Sequence, residues 1–173
     1  MPVALERALS GAVFSRAEMR ALVREIMSGA LADVQIAALL AALRTRGETL
    51  DEVVGAAEAM RELALPLPEA AAGAIDTCGT GGDGANTFNI STVSALVVAG
   101  AGVPVAKHGN RAASSRCGSA ELLEALGVAI EIPPQAMARA VAEIGFGFLY
   151  ARACHPAMAR VAPIRAALGV RTI

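Results

Sequence analysis

The chain predicts an α/β protein in two parts: a small N-terminal helical domain over residues 1–70 and an α/β domain over residues 71–173. Three observations predict it. The first third places apolar residues at helical spacing behind capping signals. Leu65-Pro66-Leu67-Pro68 then breaks that periodicity and marks a linker. Beyond it, short apolar strands alternate with helical stretches, as in a parallel sheet covered by helices.

Ser15-Arg16-Ala17-Glu18 and Thr49-Leu50-Asp51-Glu52 both match the capping box, in which a hydroxyl and a carboxylate each satisfy an orphan amide. Behind the first, Met19, Leu22, Val23, Ile26 and Met27 share one helical face. Ile36, Leu39, Leu40 and Leu43 form a second such face, with Gly47 as the expected stop. Leu50, Val53, Val54, Ala57 and Met60 form a third. This segment reads as packing helices, with a partner-helix interface as its other use.

In the second part the expected strands are Ala74–Thr77, Val103–Ala106, Val128–Ile130 and Gly147–Tyr150. The expected helices are Ile90–Ala101, Ser119–Leu126, Pro134–Ile144 and Pro156–Leu168. Glycine-rich or polar loops follow the strands, and open α/β sheets bind ligands at those carboxyl ends.

Hydrophobic residues make up 55% of the 173 residues and aromatics 3%, so the core is built from aliphatic side chains. The net charge of −1 and the scarcity of aromatics exclude the basic, stacking surface of a nucleic-acid binder. No membrane partner is expected: the apolar stretch from Ser94 to Ala106 is too short to span a bilayer. Cys78, Cys117 and Cys154 are too scattered for a disulfide framework or zinc knuckle, and read as buried thiols of a soluble, cytoplasmic protein.

Two loops carry the chemistry. Gly79-x-Gly81-x-x-Gly84 has the spacing of a dinucleotide fingerprint, but the next strand ends in Lys107-His108 where an acidic residue should hold a ribose. Ala85-Asn86 stands where a Walker loop needs lysine and a hydroxyl. A carboxylate at Asp83 inside a phosphate-cradling loop calls for an intervening cation, and oxygen donors suit Mg²⁺ bridging to diphosphate. Asn89, Ser91 and Thr92 supply an amide and hydroxyls at the following helix start. The alternative is a tight strand–helix turn with Ser91 and Thr92 as caps.

The second loop contains the chain's single lysine, in Lys107-His108-Gly109-Asn110-Arg111, and runs on to Ser114-Ser115-Arg116. Cations and hydroxyls in one stretch suit phosphate, with a solvated turn as the alternative. Two such loops suggest a ligand phosphorylated at both ends. His108 reads either as a general base or as a phosphate or ring contact. Arg165 reads as a surface charge or as a clamp for a carboxylate.

Together these motifs resemble the anthranilate phosphoribosyltransferase family. The resemblance rests on Gly79-Thr80-Gly81-Gly82-Asp83, Asn89-Ile90-Ser91-Thr92, Lys107-His108-Gly109-Asn110-Arg111 and Ser114-Ser115-Arg116-Cys117-Gly118-Ser119. It continues through His155-Pro156-Ala157-Met158 and Val161-Ala162-Pro163-Ile164-Arg165. It implies a helical domain that forms a homodimer interface, joined to a nucleoside-phosphorylase-like α/β domain. The helix around 156–168 would pack back on the helical domain, and the substrates would meet at the cleft between domains.

The resemblance implies transfer of phosphoribose from phosphoribosyl diphosphate (PRPP) to the amine of anthranilate in tryptophan biosynthesis. Gly79, Gly82, Asp83, Thr87, Asn89, Ser91 and Thr92 would hold the diphosphate end, with Ser91 and Asp83 on the metal side. Lys107, Asn110, Arg111, Ser114, Ser115 and Ser119 would line the rest of the PRPP site. Gly79, Asn110, His108, His155 and Arg165 would contact anthranilate, Arg165 through its carboxylate. No covalent nucleophile or acid/base residue is expected. Family members continue past Ile173 with an Asp-Glu pair that binds magnesium, whereas this chain has no aspartate after Asp83. It therefore reads as the N-terminal half of such an enzyme, with an incomplete α/β domain and little activity alone. The rivals are a pyrimidine nucleoside phosphorylase-like enzyme and a non-catalytic binding relative.

Overall fold

The computed structural model describes residues 2–79, 88–112 and 117–169. The chain forms two compact units, Met1–Ala64 with His155–Ile173, and Leu65–Cys154.

The first unit is helical: α1 (Pro2–Leu9), α2 (Arg16–Met27), α3 (Asp33–Arg46), α4 (Leu50–Leu63) and the later α9 (Val161–Leu168). Both expected capping boxes form. Ser15 accepts from the Glu18 amide while Glu18 reaches back to the Ser15 amide, and Thr49 and Glu52 do the same. Gly47, at φ 87°, closes α3. The core joins Met19, Leu22, Val23 and Ile26 of α2 with Ile36, Leu39, Leu40 and Leu43 of α3, and with Val161 and Ile164 of α9. Arg160 ties the start of α9 to the start of α3, donating to the Leu31 carbonyl at 2.7 Å and to Asp33 at 3.0 Å.

α4 turns a different face inward from the one its apolar pattern suggests. α4 buries Glu52, Gly55, Ala56 and Ala59, while Leu50 and Val53 stay 78% and 48% exposed. Close approach of α2 decides the matter. A Cβ on Gly55 would stand 2.2 Å from the Arg16 carbonyl oxygen, so this face must be made of small residues. Arg16–Glu58, Arg20–Glu62 and Arg24–Glu62 ion pairs flank the contact. Glu52 carries a tertiary bond as well: its carboxylate accepts from the Phe14 amide at 2.9 Å and from Arg46 at 2.5 Å.

The second unit contains α5 (Ile90–Gly100), β1 (Val105–Gly109), α6 (Ser119–Ala125), α7 (Pro134–Ile144), β2 (Phe146–Tyr150) and the single turn α8 (Ala151–Cys154). β1 and β2 pair in parallel, with Val105 opposite Phe146 and Gly109 opposite Tyr150. The expected strand at Ala74–Thr77 is reduced to one parallel bridge between Ile75 and Val105. Side chains alternate across the sheet. Phe148 and Tyr150 join Ala120, Leu123 and Ile130 in one cluster, while Ala106 and Leu149 lie with Met137, Ala138 and Val141 in another.

Two further segments depart from expectation. Residues 128–130 form no strand: the chain turns at Gly127 (φ 80°), and Ile130 simply drops into the cluster beneath α6. The region 156–168 is not one helix but a 3₁₀ turn, Pro156–Ala159, followed by α9. Among the described residues, no helix is long and apolar enough to cross a membrane.

Candidate functional site

Polar groups converge in the α/β unit where α5 and α6 begin and β1 ends. Asn89 is the cap of α5, not Ser91 or Thr92. Its Oδ1 accepts from the Thr92 amide at 3.1 Å and from the Ser91 hydroxyl at 3.2 Å. Its side-chain amide donates to Ser119 Oγ at 3.3 Å, and the buried Thr92 hydroxyl donates to the same oxygen at 3.0 Å. Thr77, just before the glycine run, donates to the Ser91 carbonyl at 2.8 Å. The two helix starts and the incoming chain are thus locked together by short polar bonds.

β1 delivers the basic residues differently from the expected loop. Lys107, His108 and Gly109 belong to the strand itself, because the parallel ladder continues to the pair Gly109–Tyr150. Lys107 is 1% exposed. Burial pushes its ammonium below the ordinary lysine value, while Cys78 and Asp76 pull the other way. Its Nζ donates to the His108 carbonyl at 3.1 Å. At Gly109 a Cβ would lie 2.8 Å from both Phe148 Cε2 and Ser119 Cβ, so only glycine lets the strand end meet α6 this closely.

Asp76 gathers the two loops. Its Oδ1 accepts from the Cys78 amide at 2.9 Å and from the His108 amide at 3.1 Å. Glu121 does the same for the basic stretch, accepting from the amides of Ala112 at 3.2 Å and Gly118 at 3.1 Å. Sequence reasoning assigned neither residue a role. An acidic side chain at a strand end directly before the glycine run was the available signal for Asp76. A carboxylate at the third position of α6 was the signal for Glu121.

The expected site residues fall into three groups. Asn89, Ser91, Thr92 and Ser119 form one connected network, and Lys107, His108 and Asn110 lie at or next to the end of β1. Gly79 is exposed at the end of the segment held by Asp76. Arg111 instead forks Glu124 through two bonds of 2.8 Å, which hold its pKa above the ordinary arginine value with help from Tyr150. A phosphate would have to share that fork. Arg165, on α9, and His155 are half-buried and belong to the helical unit. Gly82, Asp83, Thr87, Ser114 and Ser115 lie outside the described residues. The cysteines correct the expectation of buried thiols: Cys78 and Cys117 are exposed, and Cys154 is half-buried where burial pushes its thiol pKa up.

Residues 2–64 match the helical bundle domain of a glycosyl transferase family, and residues 71–173 match its a/b domain. The chain belongs to this family. It is 58% identical to the anthranilate phosphoribosyltransferase of Desulfosudis oleivorans over 92% of this chain and 47% of that one. With the Thermus thermophilus anthranilate phosphoribosyltransferase it shares 53% identity over 98% of this chain and 52% of the relative. A crystal structure of the Thermus thermophilus family member superposes with a TM-score of 0.88, covering 98% of this chain and 51% of that one. A family member from Saccharomyces cerevisiae, in complex with PRPP and Mg, reaches 0.86 at 28% identity, covering 99% of this chain and 52% of that one. The chain therefore spans about half the length of the relatives it matches.

Proposed function

We propose that this chain supplies PRPP-binding elements of an anthranilate phosphoribosyltransferase. The reaction joins the anthranilate nitrogen to C1 of the ribose, releases diphosphate and gives N-(5-phosphoribosyl)anthranilate. One observation carries the reading: nearly the whole chain superposes on a family member whose structure holds PRPP and Mg. The connected network of Asn89, Ser91, Thr92 and Ser119 beside buried Lys107 supports it.

The residues present fit magnesium. Ser91 gives its proton to Asn89 Oδ1, which leaves its oxygen lone pairs for a hard cation. Ser91, with Asp83, is the proposed holder of the ion. When bound, magnesium neutralises diphosphate and improves it as a leaving group.

The protein's own groups do the positioning. Gly79, Gly82, Asp83, Thr87, Asn89 and Thr92 are assigned to the diphosphate end. Lys107, Asn110, Arg111, Ser114, Ser115 and Ser119 are assigned to the rest of PRPP. Lys107, held in a strand at low exposure, places a fixed positive charge against phosphate where little water competes. Arg165 is assigned to the anthranilate carboxylate, with Gly79, Asn110, His108 and His155 around the acceptor. Holding the amine in line with the departing diphosphate supplies the rate through orientation, without a covalent nucleophile.

The same reading makes the protein a cytoplasmic homodimer that pairs through its helical domain, residues 1–70, with the helix bearing Arg165 counted to that domain. The packing of Val161 and Ile164 among the α2 and α3 side chains supports the last assignment.

The test is loss of anthranilate fluorescence on adding PRPP, with and without Mg²⁺, using the uninterrupted gene product. The reading expects loss only when both are present. No loss from a folded protein that binds PRPP removes anthranilate as the acceptor.

A further inference from the structure

The carboxylate of Asp76, the sulfur of Cys78 and the imidazole of His108 stand together at the start of the glycine run. One ligand atom from each lies within 4.8 Å of the other two. The arrangement is braced by the backbone: Asp76 Oδ1 receives the amides of both Cys78 and His108. Asp76 and Cys78 are exposed and His108 is half-buried, so an ion can arrive from solvent.

We propose that Asp76, Cys78 and His108 bind a divalent cation of the zinc class, with a fourth position open to water or a small ligand. This is a different site from the magnesium position at Ser91. Thiolate and imidazole select zinc or cobalt(II), whereas magnesium demands oxygen. Metal–sulfur and metal–nitrogen bonds of about 2.3 Å and about 2.0 Å put tetrahedral ligands about 3.5 Å apart. The three atoms therefore need to close by little more than about 1 Å, within reach of rotation about exposed side chains. The Cys78 thiol donates to the Gly79 carbonyl at 3.3 Å. Binding replaces the S–H bond by a metal–sulfur bond and releases that proton to solvent. Lys107 opposes the ion, since its cation interacts with both Cys78 and Asp76. The site is accordingly weaker than a closed four-ligand structural zinc site.

His108 and Gly79 are among the proposed anthranilate contacts, so the bound ion competes with the acceptor. That consequence rests on the proposed function; the binding itself does not.

Cobalt(II) titration of the metal-free protein tests the site. The expected result is a thiolate-to-cobalt charge-transfer band in the near ultraviolet that saturates at one equivalent. Zinc should abolish it stoichiometrically, and excess magnesium should leave it unchanged. Cys78→Ser should remove the band while Cys117→Ser and Cys154→Ser keep it, and His108→Gln should weaken binding by about tenfold or more. Unchanged circular dichroism and melting of Cys78→Ser show that the fold survives. A band that persists in Cys78→Ser, displacement by magnesium, or no saturable band overturns the proposal. A normal band whose zinc form leaves anthranilate affinity unchanged instead removes the acceptor assignment of His108 and keeps the metal site.

Discussion

Replacing Lys107 by methionine should make the protein more stable and less able to hold PRPP. The stem length is kept and the charge removed. Lys107 is 1% exposed, and among the described residues the acceptor of its ammonium is the His108 carbonyl at 3.1 Å. An ammonium has three donors, and each buried donor left unsatisfied costs about 1–3 kcal/mol. Attraction to Asp76 and Cys78 offsets part of this. A net gain of about 1–2 kcal/mol is expected for Lys107→Met, a rise in melting temperature of roughly 2–8 °C. The lost charge-assisted bond to phosphate is worth about 1.5–3 kcal/mol, so PRPP affinity should fall roughly 10- to 150-fold. Scanning calorimetry and titration calorimetry with PRPP measure the two effects. The pH dependence has a definite sign. Because burial depresses the folded pKa below 10.5, the unfolded chain binds more protons between the two values. Wild-type stability therefore rises with pH through that window relative to Lys107→Met, and the gap closes above 10.5. A variant that melts lower than wild type, or binds PRPP equally well, refutes the reasoning.

Gly55→Ala should destabilise the helical unit by about 2–3 kcal/mol, read as a lower melting temperature, because the atom 2.2 Å from the new Cβ is an immovable backbone oxygen. Burial works to raise the Glu52 carboxyl, but the Thr49 and Phe14 amides and Arg46 overcome it and hold the pKa low. Its stabilisation is therefore complete above about pH 4.5 and is lost as pH falls through the depressed value. Glu52→Gln should flatten that acid limb in urea titrations and lower stability by about 3 kcal/mol at neutral pH. Arg165→Ala should raise the KM for anthranilate by about tenfold or more while leaving the KM for PRPP within about twofold, measured by fluorescence. Equal effects on both substrates would remove the clamp role.

What was legible in the sequence is what short-range chemistry decides. The boxes at Ser15–Glu18 and Thr49–Glu52 involve residues three apart, and both form. The faces of α2 and α3 follow from periodicity alone. The face of α4 does not, because it is chosen by an approach to α2 that no pattern within α4 encodes. Glu52 shows the same limit: its local capping role was readable, whereas its bonds to Phe14 and Arg46 depend on tertiary packing. In the α/β unit, Gly147–Tyr150 falls within β2, but Val103–Ala106 marks β1 too early. The strand runs on through Lys107 and His108, which read as loop because they are polar, since pairing with Phe148 and Leu149 outweighs their propensity. Among the described residues, the triplet 128–130 has strand composition but pairs with no strand. Asp76 escaped notice because its contribution is two bonds to backbone amides, one of them 32 residues away.

The solitary lysine now has a structural reason. All other Lys/Arg positions are arginine, and several of those in the helical unit pair with accessible carboxylates, as at Glu58 and Glu62. Position 107 lies inside a strand between Val105 and Gly109, both buried, beside a strand end so tight that Gly109 tolerates no Cβ. A guanidinium there would bring five donors in a rigid fork into a buried space, and each one left without an acceptor would carry a desolvation penalty. An ammonium is compact, and its burial depresses its pKa. On the proposed function, that poor solvation is also what would make it effective. A cation already stripped of water has little hydration to lose when a phosphate arrives, so more of the attraction appears as binding. On the proposed function, the burial of position 107 and the choice of lysine there are one matter: the stability lost to burying the charge is the counterpart of the affinity for phosphate.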